Sequence, residues 1–536
     1  MSGRLLIVRL AVTAVALLLY LPTLQAPFHF DDFSLLAEPS VTRDDGWRDL
    51  VAPTRTRPLT YLTFRLSYLG DPVDPEPFHL TNILLFAVTV WIAGSVYLRA
   101  LPPSAATFAL IVFALHPLQT EAVAYVYGRA SLLAGLFCLA SWRVWLSDRR
   151  WWAVALFGCA IAAKEEAAAW PLFLLAFNAV FRRGELGRSW RPLAAMAGLV
   201  ALAASQALYA TGVQEGAGAG LASNAPNPYA YLWSQPRTIL LYIFLLLGYG
   251  QSFDHDLKLA GASDLLSWLC WLVLAGIVVA LLRLLRRTPH AFWPLGALVL
   301  LLPSSSIVPL ADLAAERRMF IPMISLAAGL GALLAWAIRR RQVLGMAVLA
   351  AALSLATSLR IAVWRSGEAL WRDALEKSPQ SVRAKLQLSR ALAEQGVGAV
   401  AERRRLIEEA LALRPGDPDT LTELGIFRLQ QGEAAGAVEA FEAALDASPV
   451  QDPQMLANLA AALYNAGQRS AAERSLENAL NANPCNFDAR NNLLLIRRAQ
   501  GRQSEAAVLA EAPEGCRFSG PQQEALERAR RLFERR

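Results

Sequence analysis

Lysine is nearly missing from this chain: Lys164, Lys258, Lys377 and Lys385 are the only four in 536 residues, although the formal charge is +7. The basic charge is arginine, read mainly as codon usage, and its spread over two unlike halves gives no footprint for nucleic acid. Charge of either sign is scarce, 18% of residues against 55% hydrophobic, which excludes an ordinary soluble protein of this length. Cysteine is scarce as well. Cys138, Cys159 and Cys270 lie in apolar runs as small buried hydrophobes, while Cys485 and Cys516 lie in the polar tail. No CxxC or Cys/His spacing offers a structural metal site. The first apolar run lacks a small-residue cleavage site and ends in Tyr20-Leu21-Pro22, so it reads as a retained transmembrane helix.

What is present is apolar sequence in lengths that suit a bilayer. Eleven candidate spans fall near 4–24, 78–99, 104–117, 131–147, 151–163, 166–181, 191–212, 265–283, 291–309, 319–338 and 342–362, with 237–250 ambiguous between a crossing and a return. Arginine clusters orient them. With the N-terminus inside and eleven crossings, Arg149-Arg150, Arg182-Arg183, Arg286-Arg287 and Arg339-Arg340-Arg341 all face the cytoplasm. The loops 25–77, 116–130, 213–236 and 303–318 and the C-terminal tail then lie outside, and so do nearly all the polar motifs.

The tail, from about residue 378, changes to amphipathic helices. Pro379, Pro415, Pro449 and Pro484 recur every 34 to 36 residues, with Gly425, Gln431-Gly432-Glu433 and Phe441 in one unit and Leu456 to Tyr464, Gly467, Ala472 and Leu476 in the next. Small residues that let paired helices approach, a glycine turn and a terminating proline are the tetratricopeptide signature. Stacked units form a concave surface suited to a protein or peptide. Cys485 and Cys516 stand about one repeat apart, and sequence alone leaves open whether they are bridged.

The motifs of the membrane half are Phe30-Asp31-Asp32, Arg57-Pro58-Leu59-Thr60, Phe78-His79-Leu80-Thr81-Asn82, His116-Pro117 with Thr120-Glu121 and Gly128-Arg129, Lys164-Glu165, Ser252-Phe253-Asp254, and Glu316-Arg317 leading to Ile321-Pro322. Together, with repeats trailing, they resemble the C-type-fold glycosyltransferases that use polyprenyl-phosphate sugars. More narrowly, the set resembles the transmembrane and tetratricopeptide-repeat-containing O-mannosyltransferases and bacterial relatives. The chain departs from the pattern in the short 213–236 loop and in Met319-Phe320. The resemblance implies an all-α fold: a polytopic membrane domain of about 11 helices over residues 1–363, then an external tetratricopeptide solenoid over 364–536. It also implies inverting transfer of a sugar, mannose in the family, from a polyprenyl-phosphate donor to an acceptor such as a protein Ser or Thr. An integral protein of a bacterial inner membrane, with its repeats in the periplasm, is the expected setting.

Each candidate residue has a chemical reason and a plainer alternative. Asp31 or Asp32 supplies the base that takes the acceptor proton, with the neighbouring carboxylate orienting it or raising its pKa; which of the two acts stays open. Glu121 positions a hydroxyl. Arg317, Arg129 and Lys164 neutralise the donor phosphate, and Glu316, His116, His79 and Arg57 support them. Against this, Glu121 and Arg129 could pair with each other, Arg317 with Asp312, Lys164 with the glutamates beside it, and His116 could simply end a helix. The residues point to no particular cofactor. A divalent metal stays open, and Asp254-His255-Asp256 has a poor ligand spacing for one. A non-catalytic envelope scaffold explains the repeats equally well, but leaves the external Asp, Glu and Arg set as coincidence. A transporter would carry its charges at mid-membrane rather than at helix ends.

Overall fold

The computed structural model describes residues 3–36, 38–42, 46–68, 74–213, 227–306, 308–448, 452–513, 516, 518 and 520–534. Pro449 and most of the 213–236 loop lie outside the described residues. Within them the chain forms helices and loops with no strand element, in two compact units, Met1–Asp373 and Ala374–Arg536.

The first unit is a polytopic helical membrane domain. Five helices are long and apolar enough to cross a bilayer: Gly3–Gln25, Glu76–Ala100, Arg183–Ala210, Leu265–Leu285 and Gln342–Arg365. Pro103–Leu115 and Pro117–Ala124 make a sixth only as a pair bent by 48°, and Arg150–Ala163, Pro289–Leu301 and Pro322–Ala337 are shorter apolar helices. A helix stands at each of the eleven expected positions, but by length and composition fewer than eleven suffice alone to span. A 12-residue helix such as Trp170–Phe181 covers about 18 Å of a hydrocarbon core roughly 30 Å thick. The ambiguous 237–250 stretch belongs to helix Pro228–Leu245, which contains Pro236.

Two kinds of packing build the unit. Helices Pro103–Leu115 and Pro322–Ala337 press together at Gly331, where a Cβ would stand 2.5 Å from the Ala105 carbonyl oxygen. Small residues at such crossings let helices meet where lipid gives no hydrophobic drive. By contrast, Leu265–Leu285 and Gln342–Ala362 leave Leu266, Leu269, Leu272, Val343, Leu344 and Leu359 exposed, the apolar face that lipid covers. The bend after Leu115 follows from Pro117, which holds His116 extended at φ −77°, ψ 135°. That bend turns Glu121 inward.

In the second unit, helix pairs begin at Val382, Pro418, Pro453 and Phe487, with partners beginning at Val400, Ala434, Arg469 and Gln503. Ser381, Asp417, Asp452 and Asn486 cap the first helices by accepting backbone N–H bonds of 2.8–3.0 Å. Gly432 takes φ +79° between one pair, a turn that side chains resist. At Gly425 a Cβ would stand 2.7 Å from the Phe441 ring, so glycine is what lets the two helices close on that aromatic. This is the tetratricopeptide arrangement read from the spacing. A Cys485–Cys516 disulfide ties the last pair to the segment before helix Gly520–Glu534.

Candidate active site

The acidic pair lies on a short helical turn, Phe30–Leu36, reached from the first long helix through the Leu21–Gln25 turn. The two aspartates are placed differently. Asp32 is fully buried, one carboxylate oxygen accepting the His29 N–H at 3.0 Å and the other the Tyr127 N–H at 2.7 Å. Burial pushes its carboxyl up to about 8, helped by the Asp31 charge and opposed by those backbone donors. Asp31 is part-exposed, and its own N–H donates to the Tyr125 hydroxyl oxygen at 3.1 Å. His29 is buried with its Nε2 at 2.9 Å from the Trp364 carbonyl, and burial pushes it down to about 4. It is therefore neutral at pH 7 and donates that proton.

Tyr125 joins Asp31 to a cation. The guanidinium of Arg317 sits 5.6 Å from the Tyr125 ring centroid. The Arg317 backbone N–H donates to Glu121 Oε2 at 3.0 Å, and its side chain pairs with Glu121 and reaches Asp312 at 3.8 Å. Burial pulls this guanidinium down, but the Glu121 carboxylate outweighs it and holds the group above its ordinary value. Phe253 packs edge-on to Tyr125 and Trp364 at 5.3 and 5.4 Å, and Phe30 packs on Phe253 at 6.0 Å, giving this side an aromatic wall.

Tyr127 opens toward a second group of charges. Its hydroxyl meets that of Tyr61 at 3.2 Å, and Arg57 lies close to both tyrosines. Arg57, itself at φ +59°, holds Glu165 through two hydrogen bonds, and although burial opposes it the glutamate is drawn down to about 2. Lys164 is buried, 2.8 Å from Ser131 Oγ and 2.7 Å from Glu166. Burial pushes it down to about 8 against the pull of Glu166, and both Arg57 and Arg317 add repulsion. Three cations, from sequence positions 57, 164 and 317, therefore lie within electrostatic reach of Lys164's site.

Three candidates are engaged elsewhere, and a fourth, His79, is simply buried. Arg129 is fully buried and does not face Glu121. Its donors go to Asn82 Oδ1 (2.7 Å), Ser67 Oγ (3.0 Å) and the Thr63 and Phe78 carbonyls (both 2.8 Å), and its guanidinium lies 4.5 Å from the Phe64 ring centroid. Four of its five N–H groups are thus committed to protein oxygens. His116 accepts the Leu118 N–H on Nδ1 and meets the Leu246 carbonyl at 3.1 Å through Nε2, the helix-end alternative. His79 is fully buried at the start of helix Glu76–Ala100. Glu316 binds the Ser252 N–H at 2.6 Å and His255 Nε2 at 3.1 Å rather than orienting Arg317. Among the described residues, no group of three His, Cys, Asp or Glu side chains is arranged to hold a metal ion. Sequence reasoning missed Tyr125, Tyr127 and Trp364. The two tyrosines sit inside the 120–129 motif block, and their alternation there was the available signal.

No family model matches the chain. Curated relatives do. It is 35% identical over 162 residues to the Protein O-mannosyl-transferase Tmtc1 of Drosophila melanogaster, covering 27% of this chain and 19% of that protein. It is 37% identical over 151 residues to the Protein O-mannosyl-transferase TMTC2 of Homo sapiens, covering 25% and 18%. The relatives it matches are protein O-mannosyl-transferases. The chain spans about a fifth of their length or less. Among solved structures it is similar to MamA (16% identity, TM-score 0.24, covering 31% of this chain and 89% of that one). A second is YrrB, described as a TPR protein with an unusual peptide-binding site (17%, 0.25, 31% and 82%).

Proposed function

We propose that the chain is a membrane glycosyltransferase, transferring a sugar, mannose in the first instance, from a polyprenyl-phosphate donor to a hydroxyl on a protein acceptor at the non-cytoplasmic face. The observation that carries this is the meeting of part-exposed Asp31 with the Arg317–Glu121 pair around Tyr125. Similarity to named mannosyl-transferases supports the reaction class. The repeats offer an arm for the acceptor, and the Cys485–Cys516 bridge suits an oxidising compartment such as a periplasm.

In this reading Asp31 is the base. As the acceptor oxygen attacks the anomeric carbon, its proton passes to the Asp31 carboxylate and the bond from that carbon to the phosphate oxygen breaks. The electron pair leaves with the polyprenyl phosphate, and the anomeric centre inverts. Arg317, fixed by Glu121 and Asp312, and secondarily Arg57 and Lys164, meets the charge that grows on the leaving phosphate. Asp32 is a positioning residue, tying the acidic turn to Tyr127. Arg129 and His116 hold the scaffold.

Purified membranes given labelled polyprenyl-phosphate mannose and glucose in parallel test the reading. Label should move to protein in a donor-dependent way, and Arg317→Ala should cut transfer by about 100-fold or more, the scale of losing one charge-stabilising donor. A protein that complements a deletion strain equally well as wild type, Asp31→Asn and Arg317→Ala would be a scaffold instead.

A further inference from the structure

Several arginines of the membrane unit lie against carboxylates, among them Arg55 with Glu38, Arg57 with Glu165, Arg150 with Glu185, Arg237 with Asp264 and Arg360 with Asp373. Among those that do not, three on three different helices come together around Gly94 and Ser95. Arg9 lies in helix Gly3–Tyr20, Arg99 in the last turn of Glu76–Ala100 and Arg143 in the last turn of Arg129–Trp145. Among the described residues their hydrogen-bond partners are all uncharged oxygens.

Ser95 joins them. Its Oγ accepts from Arg143 Nε at 2.6 Å and from Arg99 Nη1 at 3.2 Å. Arg9 crosses the adjacent Gly94, where a Cβ would stand 3.0 Å from its Cγ, so a larger residue would push it aside. Its Nε donates to the Trp91 carbonyl at 2.7 Å and its guanidinium lies 3.5 Å from the Trp91 ring centroid. The three cations are near enough to repel one another, and Arg149 adds to the repulsion on Arg143. Arg9 is only 8% exposed, while Arg99 is exposed and Arg143 partly so. The Nη2 groups of all three make no hydrogen bond among the described residues.

Crowded like charges in a membrane helix bundle are costly without a counter-ion, and this set keeps guanidinium donors uncommitted. A tetrahedral anion with several acceptor oxygens matches a convergent set of guanidinium forks. The cluster lies at the far ends of helices whose first turns hold His79 and Arg129, about 30 Å along the axis from His79 to Arg99 and about 21 Å from Arg129 to Arg143. We propose that Arg9, Arg99 and Arg143, organised by Ser95, form a phosphate-group site at the end of the membrane unit opposite Asp31, filled by an anionic lipid headgroup or by free phosphate. The site stands independently of the transferase reading.

Native mass spectrometry of the purified full chain in detergent tests it, with added phosphatidylglycerol, phosphatidylcholine or inorganic phosphate. Wild type should retain one phosphatidylglycerol, or one phosphate, under conditions that strip phosphatidylcholine. Arg99→Gln/Arg143→Gln should weaken that binding by about tenfold or more, and Ser95→Ala by a smaller factor, each lost charged hydrogen bond counting for several-fold. Arg286→Gln/Arg287→Gln, an exposed pair on another helix end, should change nothing and shows whether general basicity is enough. If inorganic phosphate displaces the lipid, the site takes free phosphate; if it does not, the lipid headgroup is the ligand. Equal retention of both lipids with no phosphate bound, or binding unchanged in Arg99→Gln/Arg143→Gln and Ser95→Ala, overturns the proposal.

Discussion

In the membrane unit Asp32, Glu121 and Glu316 are almost fully withdrawn from water, and each carboxylate meets a backbone N–H, a histidine or a guanidinium. In the repeats, Arg502, Glu505 and Glu473 form their pairs at the surface, where solvent screens them, with Glu423 between Arg390 and Arg403 as the buried exception. Removing one partner of a buried pair strands the other, whereas a surface pair can be lost cheaply. Charge near Asp31 is therefore expensive to keep, whereas charge on the repeats is held at little cost.

The contrast can be broken at graded cost. Arg129→Leu should have the largest effect on folding, about 3 kcal/mol, because the charge-assisted hydrogen bonds to Asn82, Ser67 and the Thr63 and Phe78 carbonyls are lost from the interior. The measurement is the yield of monodisperse protein in detergent and its Tm; a wild-type Tm would show that those groups find other partners. Asp32 predicts a subtler, pH-dependent term. Its carboxyl sits at about 8 in the folded chain against an ordinary 3.8, so folding holds its proton more tightly than the unfolded chain does. Its contribution to stability is then greatest at low pH and falls as pH rises between about 4 and about 8. Tm profiles of wild type and Asp32→Asn over that window should diverge in slope, and parallel profiles would place the Asp32 carboxyl near its ordinary value. The smallest effect belongs to Arg502→Ala in the repeats, where Tm should stay at the wild-type value; a clear drop would mean that surface charge there is not spare.

How much was legible in the sequence varied with the physics behind each signal. The repeats were readable because Gly425, Gly432, Phe441 and the recurrent prolines act locally, on turns and on one helix pair. The helices of the membrane unit were readable from apolar length alone, but the number that cross was not, since short helices such as Trp170–Phe181 can sit inside a bundle. Partner choice was the least legible. Glu121 and Arg129 stand eight residues apart, near enough in sequence to leave a mutual pair open, yet the bend at Pro117 sends Glu121 to Arg317, 196 residues away. Nothing local distinguished Asp31 from Asp32 either. Which of them is buried depends on the Tyr127 N–H, brought there by tertiary packing.

That distinction supplies the most direct test of the account. Donor-dependent sugar transfer should be compared for wild type, Asp31→Asn and Asp32→Asn, with Tm measured on the same preparations. We predict that Asp31→Asn keeps a near-wild-type Tm and loses about 100-fold or more in transfer, the range of a removed general base. Asp32→Asn should alter the pH dependence of Tm and retain transfer in whatever fraction stays folded. Full transfer by a folded Asp31→Asn protein would contradict the assignment of that carboxylate as the base.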